Sequence, residues 1–352
     1  MTQRKVATSR NRDFQQAKKA KMDEFYTSLS DIELELLHYS RHFEGKVVYC
    51  NCDDPRASNF FRYFSENFEE LGLRKLITSC YRSQNGELFG QQNSEQAVYL
   101  EYTGRKGRGD IPSPEDIGIK KLTGDGDFRS AESIALLKQA DIVVTNPPFS
   151  LFNEYVSQLI EHDKKFVIIG NMNAVTYNSI FSLIQNNQIW YGPSIRSGDR
   201  EFRVPNDYPI TASGFRIDDD GNKFIRVKGV RWFTNLDYPS RHEELKLHKS
   251  YCPRENPKYA NFDAIEVGKT QNIPRDYEGP MGVPITFLDK FNPDQFRILG
   301  SSKTLSRPMS KIAKKDTYQA GGPRFYLPNG DGTYRRMYER IVIQKRKQGS
   351  TD

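Results

Sequence analysis

Residues 141–171, DIVVTNPPFSLFNEYVSQLIEHDKKFVIIGN, constrain the fold more than any other stretch of the chain. DIVVT and KFVIIGN are apolar at successive rather than alternate positions, the mark of strands buried on both faces. Between them, SLFNEYVSQLIEH has the length and pattern of a helix, with Ser150 placed to cap it. Strand, helix and strand in so short a span make a crossover unit, and crossovers join parallel strands. The alternation extends through the first two thirds of the chain. KVVYCNC (46–52), KLITSCY (75–81), AVYLEYTG (97–104) and QIWYG read as strands, and SDIELELLHY, SNFFRYFSENFEELG, SAESIALLKQA and NSIFSLIQNN as helices. Ser30 stands three residues before Glu33, as in a capping box, and Phe60, Phe61, Phe64, Phe68 and Leu71 form a helical stripe expected in the core. The expected architecture is α/β, a mainly parallel sheet with helices on both faces. Its ligand crevice lies at the carboxyl ends of the strands.

From about residue 211 the pattern changes. TASGFRID and KFIRVKGVRWFTNL, joined by DDDGN, predict an antiparallel hairpin at the end of the sheet. Beyond NLDYPS the chain is punctuated by prolines and closes on the basic YRRMYERIVIQKRKQGS. Three segments are therefore expected: a basic arm over residues 1–22, an α/β domain over 23–235, and a smaller irregular region over 236–352.

Net charge +7 combined with 12% aromatic residues favours a polyanionic partner. Cys50, Cys52, Cys80 and Cys252 form no C-x-x-C pair and are expected as reduced thiols. The first 25 residues have no apolar stretch of the kind that directs export, so a cytoplasmic chain without membrane attachment is expected. His38, His42, His162, His242 and His248 lack metal-ligand spacing, and no metal is expected.

Asn146 follows the apolar run 142–144 and so falls at the carboxyl edge of a strand, at the mouth of the crevice. Pro147 and Pro148 remove two backbone donors and fix φ, which leaves a stiff segment rich in carbonyl acceptors. The Asn146 side-chain oxygen and the Pro147 carbonyl can together accept both hydrogens of a planar amino group, drawing its lone pair out of conjugation toward an electrophile. Phe149 supplies a face on which the ring bearing that amine can stack.

NPPF after DIVVT resembles the catalytic motif of amino-group methyltransferases that use S-adenosylmethionine. VVYCNCDDPRASNFFRYF, GDGDF, DIVVTNPPFSLF and GVPITFLDKFNPDQFRILG together resemble the EcoRI-type adenine-N6 DNA modification methylases, over most of the chain from about residue 20. The resemblance implies a Rossmann-like class I methyltransferase sheet followed by a target-recognition region, and the catalytic set Asn146, Pro147, Pro148 and Phe149. It places the methionine end of the cofactor against Asn51, Cys52, Asp53 and Asp54, where a carboxylate could hold the α-ammonium. Which of Asp53 and Asp54 does so stays open, since the D-x-F-x-G-x-G loop of many relatives is absent. TGDGDF (123–128) matches the segment that reaches the adenine of the cofactor, through Asp127 and Phe128. DEFYTS (23–28) resembles a segment that closes over the methionine, with Phe25 and Tyr26 as walls and Thr27 as a hydroxyl donor.

The substrate so implied is an adenine flipped from double-stranded DNA, in restriction-modification or in protection of phage or host DNA, with a cognate restriction endonuclease as a possible partner. Arg196, Arg200 and Arg203, and near the C-terminus Arg335 and Arg336, are candidates for phosphate or guanine contacts; Lys345, Arg346 and Lys347 add charge to the tail. Two other readings remain: the same motif acting on RNA or on a protein glutamine, or a DNA-binding protein with a decayed cofactor site.

Overall fold

The computed structural model describes residues 26–52, 54–81, 97–104, 113–196, 199–204 and 215–347; the expected basic arm, Phe25 and Asp53 lie outside them. Contacts divide the chain into two units, one of residues 1–179 and 191–237, the other of 180–190 and 238–352.

In the first unit, β1 (Val47–Asn51), β2 (Lys75–Cys80), β3 (Val98–Tyr102), β4 (Lys120–Lys121), β5 (Ile142–Thr145), β6 (Lys165–Asn171), β7 (Trp190–Tyr191) and β11 (Val230–Thr234) form a sheet in the order β4-β3-β2-β1-β5-β6-β11-β7. The runs without polar alternation are its parallel centre. β1 pairs with β2 and β5, and β5 with β6, in registers such as Val48 to Leu76, Val48 to Ile142 and Val143 to Phe166. β2 with β3, β3 with β4 and β6 with β11 pair antiparallel, so the sheet is mixed rather than mainly parallel. Among the described residues no helix is long and apolar enough to cross a membrane.

Helices α1 (Leu29–Leu36), α2 (Asn59–Glu66), α3 (Ala131–Gln139) and α4 (Phe152–Glu161) belong to this unit, and α5 (Asn178–Gln185) falls largely in the second. Ser28, rather than Ser30, caps α1 by accepting from the Asp31 amide at 3.1 Å, so the helix starts with a simple N-cap two residues ahead of the expected capping box. Ser150 does not cap α4. It lies inside a 3-10 turn, Phe149–Leu151, because the extended geometry of Pro148 delays the helix. The α2 aromatics are core, as expected: Phe64 meets Phe43 edge-on at 5.3 Å and Phe60 meets Trp232 at 6.2 Å.

The predicted strand KFIRVKGVRWFTNL is two strands. β10 (Lys223–Lys228) joins a separate sheet in the order β8-β10-β9, with β8 (Asp199–Val204) and β9 (Arg216–Ile217). Gly229, at φ +72°, then turns the chain into β11; a Cβ there would lie 2.9 Å from Met172 Cγ. β11 reaches the main sheet from a hairpin rather than through a crossover helix, and it therefore runs antiparallel to β6.

In the second unit, β12 (Ile265–Glu266), β13 (Met281–Pro284), β14 (Phe296–Ser301) and β17 (Arg340–Lys345) form a sheet in the order β12-β13-β17-β14, and β15 (Tyr326–Pro328) pairs with β16 (Tyr334–Arg336). The basic C-terminal stretch is thus not a tail: Ile341, Val342 and Ile343 are buried in the interior strand of that sheet. Phe325 stacks on Tyr259 and Phe262, and the buried Arg340 guanidinium forks onto Glu266 at 2.8 and 3.0 Å, with the Tyr259 hydroxyl also donating to that carboxylate.

Candidate active site at the sheet switch point

The chain leaves β1 for β2 on one side and returns to β5 on the other, which makes the β1/β5 junction the switch point where open α/β sheets bind ligands. Both strands end there on an asparagine-bearing turn, Asn51 on β1 and Asn146 just past β5. Three side chains fasten the junction. The Thr145 hydroxyl donates to the Asn51 carbonyl, and the Tyr155 hydroxyl, reaching up from α4, donates to Asn51 Oδ1. Asn51 is 3% exposed, so its side chain is committed to this position. Beyond it, Cys52 takes φ +67° and turns the chain out of the sheet. Asp54 then accepts from the Arg56 amide at 2.9 Å and pairs with its guanidinium at 3.5 Å.

Asn146 is 5% exposed, Pro147 is buried and Phe149 is nearly so. The two proline carbonyls differ in use. That of Pro148 accepts from the Leu151 amide at 3.0 Å and closes the 3-10 turn, whereas no donor among the described residues bonds to that of Pro147. The stiff segment thus holds an asparagine amide and an available carbonyl beside one another in the sequence at a strand end, a pair of acceptors suited to a planar amine.

Loop 123–128 is held in place from two sides. Glu132, on the first turn of α3, accepts the Thr123 and Gly124 amides at 2.9 and 2.7 Å, and those amides hold its carboxyl below the usual carboxylate range. Gly126, at φ +76°, sits so close to the end of β2 that a Cβ would lie 2.4 Å from the Cys80 carbonyl oxygen. The loop delivers Phe128 edge-on to Tyr155 at 5.1 Å, and Gln158 donates to the Phe128 carbonyl at 3.1 Å. Asp127 is engaged by Arg129, which donates to both its carboxylate oxygens at 2.9 and 2.7 Å and reaches Glu154 at 2.9 Å. One ring, Tyr155, therefore touches both the predicted methionine-side residue Asn51 and the predicted adenine-side residue Phe128.

The segment ahead of α1 is held by two bonds. The Tyr26 amide bonds to the Arg203 carbonyl of β8 at 3.2 Å, and Asn59, at the start of α2, donates to the Thr27 carbonyl at 2.7 Å. Thr27 is 4% exposed, and its hydroxyl has no hydrogen-bond partner among the described residues. A buried hydroxyl left in that state is a group a ligand would satisfy. The segment is anchored through α1: Asp31 pairs with Arg200 at 3.3 Å, and the buried Glu35 accepts from the Tyr39 hydroxyl at 2.7 Å and the Ser194 amide at 2.9 Å. Burial pushes the Glu35 carboxyl up to about 7. Gly192 admits it, since a Cβ there would collide with Glu35 Oε1.

The candidate nucleic-acid residues separate into exposed and engaged groups. Arg196 and Arg203 are exposed, with the Arg196 Nε donating to the Pro193 carbonyl, while Arg200 is held by Asp31. On β16, Arg335 is exposed and Arg336 donates to the Gly322 carbonyl at 3.1 Å. Lys345 and Arg346 are engaged, Lys345 by the Arg275 carbonyl and Glu278 and Arg346 by the Pro293 carbonyl. Sequence reasoning missed Thr145, Tyr155 and Gln158. The signal was weak: each looks like an ordinary strand or helix residue until the ends of β1 and β5 are known to be neighbours. Arg129 stands two positions after Asp127, close enough for the pair to be legible in the sequence.

The family described as adenine-specific methyltransferase EcoRI matches residues 13–346. The type II methyltransferase M.EcoRI of Escherichia coli is 50% identical over 310 residues, covering 88% of this chain and 94% of that protein. Type II methyltransferase M.MgeORF184P of Mycoplasma genitalium is 38% identical over 345 residues, covering 95% and 99%, and M.MpnI of Mycoplasma pneumoniae is 39% identical over 343 residues, covering 95% and 98%. No solved structure matches the chain.

Proposed function

The chain belongs to the adenine-specific EcoRI methyltransferase family and is a DNA adenine methyltransferase, and we propose that it methylates N6 of an adenine flipped from duplex DNA into the mouth lined by Asn146, Pro147 and Phe149. The observation that carries this reading is the division of the two proline carbonyls at the switch point: that of Pro148 is closed into the turn, while that of Pro147, next to Asn146 at the strand end, accepts from no donor among the described residues. Asn146 Oδ1 and the Pro147 carbonyl each take one N6 hydrogen, which turns the nitrogen lone pair toward the methyl donor. Phe149 stacks on the extruded base, whose N6 is out of reach inside the helix. Alkylation makes the amine acidic, and the proton held at one of the two acceptors leaves to water, so the site needs no general base. Positioning supplies much of the remaining barrier reduction.

The methyl donor in this reading is S-adenosylmethionine, which supplies, when bound, a methyl group activated on a sulfonium. The residues present fit it. The buried Thr27 hydroxyl lacks a protein partner among the described residues, Asn51 and Cys52 line the turn after β1, and Phe128 meets the Tyr155 ring that also holds Asn51. Of the paired carboxylates, Asp54 is tied to Arg56; Asp53 lies outside the described residues. Because Asp127 is tied to Arg129, it would accept the adenine amine of the cofactor with an oxygen whose charge is already shared. Exposed Arg196, Arg203 and Arg335 are suited to the DNA backbone. The type II relatives favour a restriction endonuclease of the same specificity as partner, in the cytoplasm where DNA is accessible.

The test is transfer of labelled methyl from S-adenosylmethionine to duplex DNA, RNA and a protein extract, followed by nucleoside analysis. Label recovered as N6-methyladenine from DNA is the expected result. Label confined to RNA or protein would transfer the chemistry to another substrate, and cofactor binding without transfer would point to a binding-only role.

A further inference from the structure

The turn between β16 and β17 carries Tyr338, whose side chain is 88% exposed, against 38 to 56% for the other exposed large apolar residues described. Its exposure does not come from a loose chain. On one side the Met337 amide donates to the Phe325 carbonyl at 2.9 Å and the Met337 side chain packs on the core of the second unit. On the other, the Glu339 carboxylate accepts from the Ser302 hydroxyl at 2.8 Å and the Lys303 amide at 3.1 Å and pairs with Arg324 at 2.8 Å. The Arg340 amide bonds to Ser302 at 3.1 Å, while its guanidinium is buried against Glu266. A pinned backbone thus presents a ring that gains no burial within the described chain, the arrangement of a preorganised contact.

The surroundings identify what it contacts. Segment 302–324 holds six lysines and arginines against one acidic residue, Asp316. Asn261 binds that segment to the unit by donating to the Arg307 and Arg324 carbonyls at 2.9 and 2.7 Å while accepting from the Tyr326 amide at 3.0 Å. Arg307, Lys311, Lys314, Lys315 and Arg335 are exposed, whereas Arg324 and Arg340 are neutralised internally. Lysine is depleted where proteins bind proteins, so a rigid aromatic in a lysine-rich setting fits bases for the ring and phosphates for the cations.

We infer that Tyr338 enters the base stack of duplex DNA, with the 302–324 segment and Arg335 holding the flanking phosphates. This rests on the duplex-DNA reading above. The test compares Tyr338→Ala, Tyr338→Phe and Tyr338→Trp in the full chain, on an oligonucleotide duplex carrying the site mapped by the labelling assay. A base–aromatic stack corresponds to roughly a 5- to 150-fold effect. Tyr338→Ala should raise the duplex Kd and KM by that factor, with S-adenosylmethionine affinity and melting temperature unchanged. Tyr338→Phe should stay within about twofold of wild type, and the tryptophan in Tyr338→Trp should be quenched on duplex binding. A mismatch at the target pair, which loosens the stack beforehand, should restore much of the loss. Wild-type kinetics in Tyr338→Ala, or a tryptophan blind to saturating duplex, would overturn the inference; so would a change in oligomeric mass accompanying the loss, which would make the ring a protein contact. Wild-type chain run in parallel separates the two readings: DNA labelling by wild type with an indifferent Tyr338→Ala sinks this inference alone, and no DNA labelling sinks both.

Discussion

Tyr155→Phe removes one hydroxyl and almost no volume, and its cost follows from the junction it fastens. Tyr155 is fully buried and Asn51 nearly so, so the substitution leaves Asn51 Oδ1 without its donor and out of reach of water. A buried acceptor stranded in this way costs about 1–3 kcal/mol. For a folding unit of this size each kcal/mol is worth about 2–4 °C, so the transition of the first unit should fall by about 2–12 °C. The S-adenosylmethionine affinity should fall several-fold as well, because Asn51 and Phe128 both rest on this ring. A double-mutant cycle with Asn51→Ala isolates the bond. If the hydroxyl acts through Asn51, Tyr155→Phe should cost little once Asn51 is alanine, giving a coupling of about 1 kcal/mol or more in melting and in cofactor titration calorimetry. Additivity within about 0.5 kcal/mol would refute the reasoning, because the two residues would then act independently.

Asn146→Ala should lower single-turnover methyl transfer by roughly 10²–10³-fold with cofactor affinity nearly unchanged, and transfer at the wild-type rate would remove the acceptor role. Gly126→Ala forces a Cβ to 2.4 Å from the Cys80 carbonyl and strains a left-handed φ by about 1–2 kcal/mol; cofactor affinity should drop while NPPF is untouched, and an unaltered calorimetric Kd would count against the loop's placement. Glu35 holds a proton in the folded state up to about pH 7 that the unfolded chain loses near 4.5, so stability should fall as pH rises through that window, by at most about 3 kcal/mol. Glu35→Gln should flatten this slope in melting experiments from pH 4.5 to 8, and parallel profiles for the two proteins would show that the carboxyl does not carry it.

Much of the architecture is legible along the chain because its signals are local. Apolar runs without alternation marked β1, β2, β5 and β6, helical spacing placed the α2 phenylalanines in the core, and proline stereochemistry made NPPF a rigid strand-end segment. The misreadings also have local causes. Gly229 interrupts what looks like one strand, and the basic composition of the C-terminus masks an interior strand whose arginine is neutralised by Glu266, a residue far away in sequence.

The buried strands, the place of the stiff acceptor group and the family resemblance follow from residue type and spacing along a few turns of chain. The adjacency of β1 and β5, the hold of Tyr155 and Thr145 on Asn51 across separations of 104 and 94 residues, and the pinned yet bare Tyr338 emerge with the folded chain. Those features arise from strand order and packing, where the energy of one side chain depends on partners that no local pattern names.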